Sequence, residues 1–199
     1  GYGHSLQDAF RWAAVDKFEW IITMDCDEQH EPEAIPRFLD AIRENTHDVI
    51  SGSRYLDPES AADAPPENRR VINRSITKEL NNRLGYQLTD AFCGFKAYRV
   101  SALTNLSLAV DGYAFPMQFW VQAAAFGLRV TEIPVKLIYN DPSRTFGGPL
   151  DDDDIRLGHY RSVLHDELCR FKNKLPPGAT DDLSHLAPCA ERDQHPAPR

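Results

Sequence analysis

Apolar positions along the chain fall into two rhythms, a helical period and short unbroken runs. Leu6, Phe10, Ala13 and Ala14 recur at helical spacing and predict a helix over 4–16. Trp20-Ile21-Ile22-Thr23-Met24 is a short apolar run rich in β-formers, the pattern of a buried strand. Glu31-Pro32-Glu33 places a proline and acids at a helix start, and Ile35, Phe38, Leu39 and Ile42 mark that helix's buried face. Asp48-Val49-Ile50-Ser51 predicts a second strand that ends at Gly52-Ser53-Arg54-Tyr55. Residues 56–68 hold three prolines and three alanines and read as a loop. A basic, polar helix follows over 69–84, then a strand over 94–99. An apolar helix over 114–126 is closed by Gly127. The strand over 129–139 contains Pro134, which suits a sheet edge. After a loop over 140–150, a long helix over 151–174 opens on four aspartates and closes on Arg170, Lys172 and Lys174, matching the helix dipole at both ends.

Strand–helix alternation of this kind implies an α/β fold with a mainly parallel, Rossmann-like sheet, in which ligands sit beyond the carboxyl ends of the strands. Asp25–Gln29 and Ser53–Tyr55 fall at such ends. We assign residues 1–175 to one domain and expect the Pro-rich, aperiodic stretch 176–199 to be a disordered tail. The length of 199 residues suits a single core.

Charge narrows the partners. Acids outnumber bases 30 to 22, a formal charge of −8, which disfavours nucleic acid while leaving room for a local basic site that holds a small anion. The longest apolar region, Phe115 to Leu128, is broken by Gln118 and Gln122 and is too short to span a bilayer. There is no basic-then-apolar leader, and the first residue is Gly rather than Met, as in a fragment or processed product. Cys26, Cys93, Cys169 and Cys189 are widely spaced without a CxxC pair, so we expect reduced thiols and a cytoplasmic location. Trp12, Trp20 and Trp120 are expected in the core.

Several polar clusters can carry chemistry. Asp25 and Asp27 lie two apart at a strand end, so both carboxylates can face one point, and such hard oxygens suit Mg²⁺ or Mn²⁺. Gln29 adds a carbonyl oxygen, with His30 a weaker ligand. The alternative is an ordinary strand-end turn. Arg54 can pair with a phosphate through two parallel hydrogen bonds, or be a surface arginine. Arg70 and Arg74 share a helix face near Arg69 and can grip an anion or solvate the helix. Asp90, in a small apolar loop, can be a base, a sugar partner or a turn cap. Cys93 reads as a small buried residue. Ser143-Arg144 belongs to a glycine-containing loop that can close over a substrate. Asp151–Asp154 reads as helix capping rather than a metal cluster.

Together these clusters resemble family 2 glycosyltransferases, nearest to dolichyl-phosphate mannose synthase and the bacterial polyprenyl-phosphate sugar transferases. The matching segments, in the family's order, are Gly1–Leu6, Asp25–Glu33, Gly52-Ser53-Arg54-Tyr55, and Thr89-Asp90 with Gly94-Phe95-Lys96-Ala97, joined by the Glu132–Val135 strand. They cover about residues 1–148. The resemblance implies a GT-A nucleotide-diphospho-sugar transferase fold, N-terminally truncated because the family's opening strands are missing. It implies a metal-dependent, inverting transfer from a nucleotide-diphosphate sugar. Asp25, Asp27 and Gln29 would hold Mg²⁺ or Mn²⁺. The acceptor would be a polyprenyl or dolichyl phosphate, met at the cytoplasmic membrane face by peripheral contact. Arg54 would contact the acceptor phosphate, helped by Arg69 with Asn73, with Arg70 the rival in register, and by Ser143 and Arg144. Asp90 would lie near sugar and acceptor. Three departures stand out: the missing strands, Gln118 where relatives often have Glu, and Ser143-Arg144 where many have Ser-Lys. Two other readings stay open: a saccharide or other hydroxyl acceptor with Asp90 as base, and a non-catalytic nucleotide or metal binder.

Overall fold

The computed structural model describes residues 1–57, 67–138 and 145–183. Among the described residues, six α-helices surround a four-stranded sheet: α1 Tyr2–Val15, α2 Ile35–Glu44, α3 Glu67–Leu84, α4 Val100–Leu103, α5 Phe115–Ala125 and α6 Asp153–Phe171, with β1 Trp20–Thr23, β2 Val49–Ser53, β3 Lys96–Arg99 and β4 Val130–Pro134. The spatial order is β1-β3-β2-β4. β2 and β4 pair in parallel, but β3 runs antiparallel to both β1 and β2. The sheet is therefore mixed: β1, β2 and β4 point one way, in keeping with the mainly parallel expectation, and β3 is reversed among them. The reversed strand follows α3: the chain leaves that helix, makes an irregular passage through 85–95 and enters the sheet from the opposite end. A parallel partner would need a crossover that this passage does not make.

The sheet separates two apolar layers, and the strands feed them alternately. Val49 and Tyr98 point into the larger core with α1, α3, α5 and α6, whereas Ile50 and Ala97 point into the smaller one beneath α2. Phe38 stacks on Phe95 at 4.4 Å and fixes α2 to the sheet. Burying that ring contributes roughly 2 kcal/mol of transfer free energy. β2 is buried along its whole length, as a central strand should be. Asp48, just before it, accepts hydrogen bonds from the backbone and guanidinium of Arg129 and from Arg99, tying the start of β2 to its neighbours. Pro134 closes β4 at a sheet edge, where its missing N–H leaves no ladder partner unpaired.

The two glutamines that interrupt the apolar run of α5 are buried and fully used. Gln118 accepts from the N–H groups of Ala109 and Val110, Gln122 bonds both backbone groups of Ser107, and both amides donate to Glu167 on α6. This network braces the irregular segment 104–114 against α5 and α6.

Several expectations change. The first helix starts at Tyr2, two residues before the expected position 4; Gly3 sits so close to Val110 that a Cβ would fall 2.0 Å from its carbonyl oxygen. Trp12 is 57% exposed and packs against Phe18 on the outer face of α1, while Trp120 is fully buried. Residues 176–183 belong to the folded body: Ala179 and Leu183 are buried, and Arg83 holds Asp182 and the Ala179 carbonyl. Residues 184–199 lie outside the described residues. Cys26 and Cys93 are free thiols, but Cys169 is disulfide-bonded, contrary to the expectation of four reduced cysteines. Among the described residues, no helix is long and apolar enough to cross a membrane.

Candidate active site

A cavity of about 420 Å³ opens beyond the carboxyl ends of β1 and β2. Asp25, Asp27 and Gln29, Arg54 and Tyr55, and Arg69 with Asn73 line it together. Six of the sequence-predicted residues thus meet at one place, although they come from three separate segments.

Its anionic end is built by the turn after β1. Glu28 adopts a left-handed conformation (φ 62°), and Asp27 accepts a hydrogen bond from the Gln29 N–H at 3.1 Å, closing the turn. Asp25 is seated by an absence. A Cβ on Gly94 would lie 2.3 Å from its Oδ2, so glycine there is what lets the carboxylate occupy its place. His30 packs beneath, with Nε2 3.9 Å from Asp25 Oδ2. Burial, reinforced by Arg54, pushes its pKa down to about 4, so the ring is neutral at pH 7. The Gln29 Nε2 and His30 Nδ1 atoms are buried without hydrogen-bond partners among the described residues.

The cationic end is built differently. Arg54 forms a bidentate pair with Asp90: Nε donates to Oδ2 at 2.6 Å and Nη2 to Oδ1 at 2.9 Å, while the Arg54 backbone N–H also donates to Oδ2. Asn73 Nδ2 and the Phe92 N–H complete the ring of donors around Asp90, which is wholly buried. Burial alone would raise the Asp90 pKa, but the Arg54 charge and these donors outweigh it and hold the carboxyl at about 2. Thr77 continues the network by bonding Asn73 and accepting from the Ala91 N–H. Ser53 bonds Thr89 at 2.5 Å, and Glu132 on β4 accepts from Thr89 and from the Asp90 backbone. Lys96, on β3, is buried, donates to the Cys93 carbonyl and rests over the Trp120 ring, with its pKa lowered by burial. Its charge offsets the carboxylates around it. Burial pushes the Cys93 thiol up to about 11, so it is an inert core residue.

Of the predicted residues, Asp90 lies behind the cavity wall and anchors Arg54 instead of lining the space. Arg70 is not part of the lining and pairs with Glu67 at 3.5 Å, so helical register favours Arg69, which shares the cavity with Asn73. Ser143 and Arg144 lie outside the described residues. The aspartate run caps structure: Asp151 accepts from the Phe146 and Gly147 N–H groups, and Asp152 is the N-cap of α6, accepting from Asp154 and Ile155. Sequence reasoning missed Glu132, Lys96, Arg156 and the aromatic wall of Tyr2, Tyr113, Phe146 and Tyr160. A Thr-Asp loop needing a backbone anchor signals Glu132 only weakly, and nothing in the helical pattern marks Arg156 as facing inward.

The donor set at the anionic end is two carboxylates and a carboxamide, hard oxygen ligands that fit a divalent cation such as Mg²⁺ or Mn²⁺. The buried Gln29 Nε2 finds no acceptor among the described residues, a donor that an oxygen of a bound ligand, and not the cation itself, would satisfy. Among the described residues, no group of three or more His, Cys, Asp or Glu side chains converges as a metal cage. An open, two-carboxylate site is the arrangement that leaves coordination positions for a ligand's own oxygens.

A carboxylate pair faces a clamped arginine across the mouth of the α/β sheet, an arrangement whose chemistry suits a phosphorylated ligand. The family model for glycosyl transferase family 2 matches residues 1–106, more than half of the chain, and the chain belongs to that family. It is similar to an undecaprenyl-phosphate mannosyltransferase of Micrococcus luteus, with 31% identity over 74% of this chain and 62% of the relative. It is also similar to a polyprenol monophosphomannose synthase of Mycolicibacterium smegmatis, with 31% identity over 68% of this chain and 51% of that protein. The chain thus spans less than two thirds of the length of these relatives. Among solved structures, glucosyl-3-phosphoglycerate synthase of Mycobacterium tuberculosis, determined with uridine diphosphate, shares the fold with a TM-score of 0.55 at 17% identity, over 88% of this chain and 56% of that one. That likeness supports a GT-A fold.

Proposed function

We propose that the chain carries the reaction site of a metal-dependent, inverting glycosyltransferase that moves a sugar from a nucleotide-diphosphate donor to a polyprenyl-phosphate-type acceptor. The observation that carries this reading is the polarity of the cavity, with Asp25, Asp27 and Gln29 at one end and Arg54 and Arg69 at the other. Asp25, Asp27 and Gln29 would hold Mg²⁺ or Mn²⁺, which as a Lewis acid neutralises charge on the departing diphosphate. Arg54 and Arg69, with Asn73, bind and orient the acceptor's phosphate. An acceptor oxygen that is already an anion attacks the anomeric carbon on the face opposite the leaving group, and the configuration inverts. Such an acceptor needs positioning more than a base.

Asp90 supports this choice of acceptor over a hydroxyl compound. A carboxyl held at about 2, enclosed by five hydrogen-bond contacts, has little capacity to take a proton at pH 7. Its part is to hold Arg54. Peripheral contact with a cytoplasmic membrane face belongs to the same proposal, since the acceptor's hydrocarbon resides there.

Calorimetry tests the reading. Mn²⁺-dependent binding of UDP- and GDP-sugars is expected for the chain and is expected to vanish in the Asp25→Ala, Asp27→Ala variant. Transfer of radiolabelled sugar to a short isoprenyl phosphate should exceed transfer to soluble saccharides. Folded protein that binds no nucleotide sugar, or that glycosylates only saccharides, overturns it.

A further inference from the structure

We propose that Phe146 is a positioning residue that sets the Arg69 guanidinium for the anionic group of the acceptor, a role that rests on the acceptor reading above. Phe146 and Arg69 both line the cavity, and the Arg69 guanidinium carbon lies 4.9 Å from the centre of the Phe146 ring. The ring is itself held in place by its neighbours. Its backbone N–H and that of Gly147 donate to Asp151 Oδ1 at 2.8 and 3.1 Å, a fold-back that left-handed Gly147 and Gly148 allow. Tyr113 meets it edge-on at 5.4 Å. The Arg156 guanidinium also rests on it at 4.6 Å, and Arg156 is buried, held by the Leu150 carbonyl and by Asp153.

The same unit holds the other end of Arg69. Asp153 accepts from Asn68 Nδ2 at 3.1 Å, and Asn68 Oδ1 accepts from the Arg69 backbone N–H at 2.9 Å. The first turn of α6 therefore fixes the backbone of Arg69 through Asn68 and its guanidinium through Phe146. An arginine carries much rotamer entropy, which binding must otherwise remove. An aromatic face attracts a guanidinium electrostatically without engaging its N–H donors, which point in the plane of the group. A ring is thus a support that orders the cation without itself taking up any of its donors.

A double-mutant cycle with geranyl phosphate as the probe tests this. Phe146→Leu keeps an apolar side chain and removes the π face; Phe146→Tyr restores it. Phe146→Leu is expected to weaken geranyl phosphate binding by about 5- to 10-fold, the size of one partly desolvated cation–π contact. Phe146→Tyr is expected to stay within about 2-fold of the wild type. In an Arg69→Met background, Phe146→Leu should cause no further loss. The Arg69 Nε–H resonance, followed by nitrogen relaxation, should become more mobile in Phe146→Leu and not in Phe146→Tyr. Equal losses with and without Arg69, or an Arg69 signal unmoved by Phe146→Leu, overturn the positioning role while leaving the acceptor reading intact. A wild-type chain that binds nucleotide sugar but not geranyl phosphate overturns the acceptor reading and the ligand assigned here. The relaxation data would then report only a structural clamp.

Discussion

The two ends of the cavity follow opposite plans. At the cationic end, Asp90 is surrounded by donors, Arg54 is gripped in two-point fashion, and Asn73, Thr77, Thr89 and Glu132 pass the restraint into α3 and β4. At the anionic end, a left-handed turn presents two carboxylates while buried polar atoms of Gln29 and His30 lack hydrogen-bond partners among the described residues. The first end is finished by the protein alone; the second has polar capacity that folding leaves unspent. The difference teaches where stability and binding are separable. A site finished by the protein ties its charges to the fold, so altering them disturbs both. A site completed by a ligand can lose function with little loss of stability.

Substitution at each end breaks or sharpens this contrast. Asp25→Asn with Asp27→Asn is expected to lower Mn²⁺-dependent nucleotide-sugar affinity by at least about 100-fold, as loss of two hard ligands implies. The same variant should change unfolding free energy by no more than about 1 kcal/mol, the range of substitutions outside the core. A large stability loss would mean that the anionic end, too, is structural.

Asp90→Ala should cost roughly 3 kcal/mol in urea unfolding, because it strands a largely buried guanidinium. A cost below about 1 kcal/mol would sink the claim that this end is self-sufficient. Within the cationic end, Arg69→Ala should weaken geranyl phosphate binding by about 10-fold, whereas Arg70→Ala should leave it within about 2-fold, since only Arg69 faces the cavity. Equal effects would return the register to question.

The smallest expected effect is on acid stability. Hydrogen bonds from Arg129 lower the Asp48 pKa to about 2, and a hydrogen bond from His165, with Arg161 and Arg83, lowers that of Glu79 to about 2. Both folded values lie below the ordinary ones, so the stability they add is present above about pH 4.5 and fades as pH falls toward 2. Urea midpoints should decline through that window, in which Asp90 also titrates, and decline less steeply in Glu79→Gln, which removes one of the lowered carboxyls.

Much of this molecule was legible because its signals are local. Apolar spacing located all the major helices to within a few residues, and the strand-end positions of Asp25 and Arg54 pointed to a shared site. The direction of β3 was not legible, because a four-residue strand carries no mark of its polarity; the passage from α3 decides it. Trp12 misled for a related reason: a large apolar residue on a short amphipathic helix says nothing of which face finds a partner. The role of Asp90 needed three dimensions, since a lone acid in an apolar loop reads equally as base, cap or anchor until Arg54 is seen against it. The glutamines of α5 looked like breaks in an apolar surface and proved to be the hydrogen-bonding spine of a core contact with Glu167. Residues 176–183 were hidden by composition, because two buried side chains suffice to dock a polar segment.

The bare α-carbon of Gly94 has a reach beyond its own position. The stretch 89–96 supplies Asp90 to one end of the cavity and the vacancy that receives Asp25 to the other. One short length of backbone thus acts as the gauge between the two, and under the proposed reaction it would set how far a departing phosphate and an arriving one stand apart. Adding a single methyl group at Gly94 would recalibrate that spacing without touching any charge. A change in which acceptors are tolerated could then arise at a residue that meets neither of them.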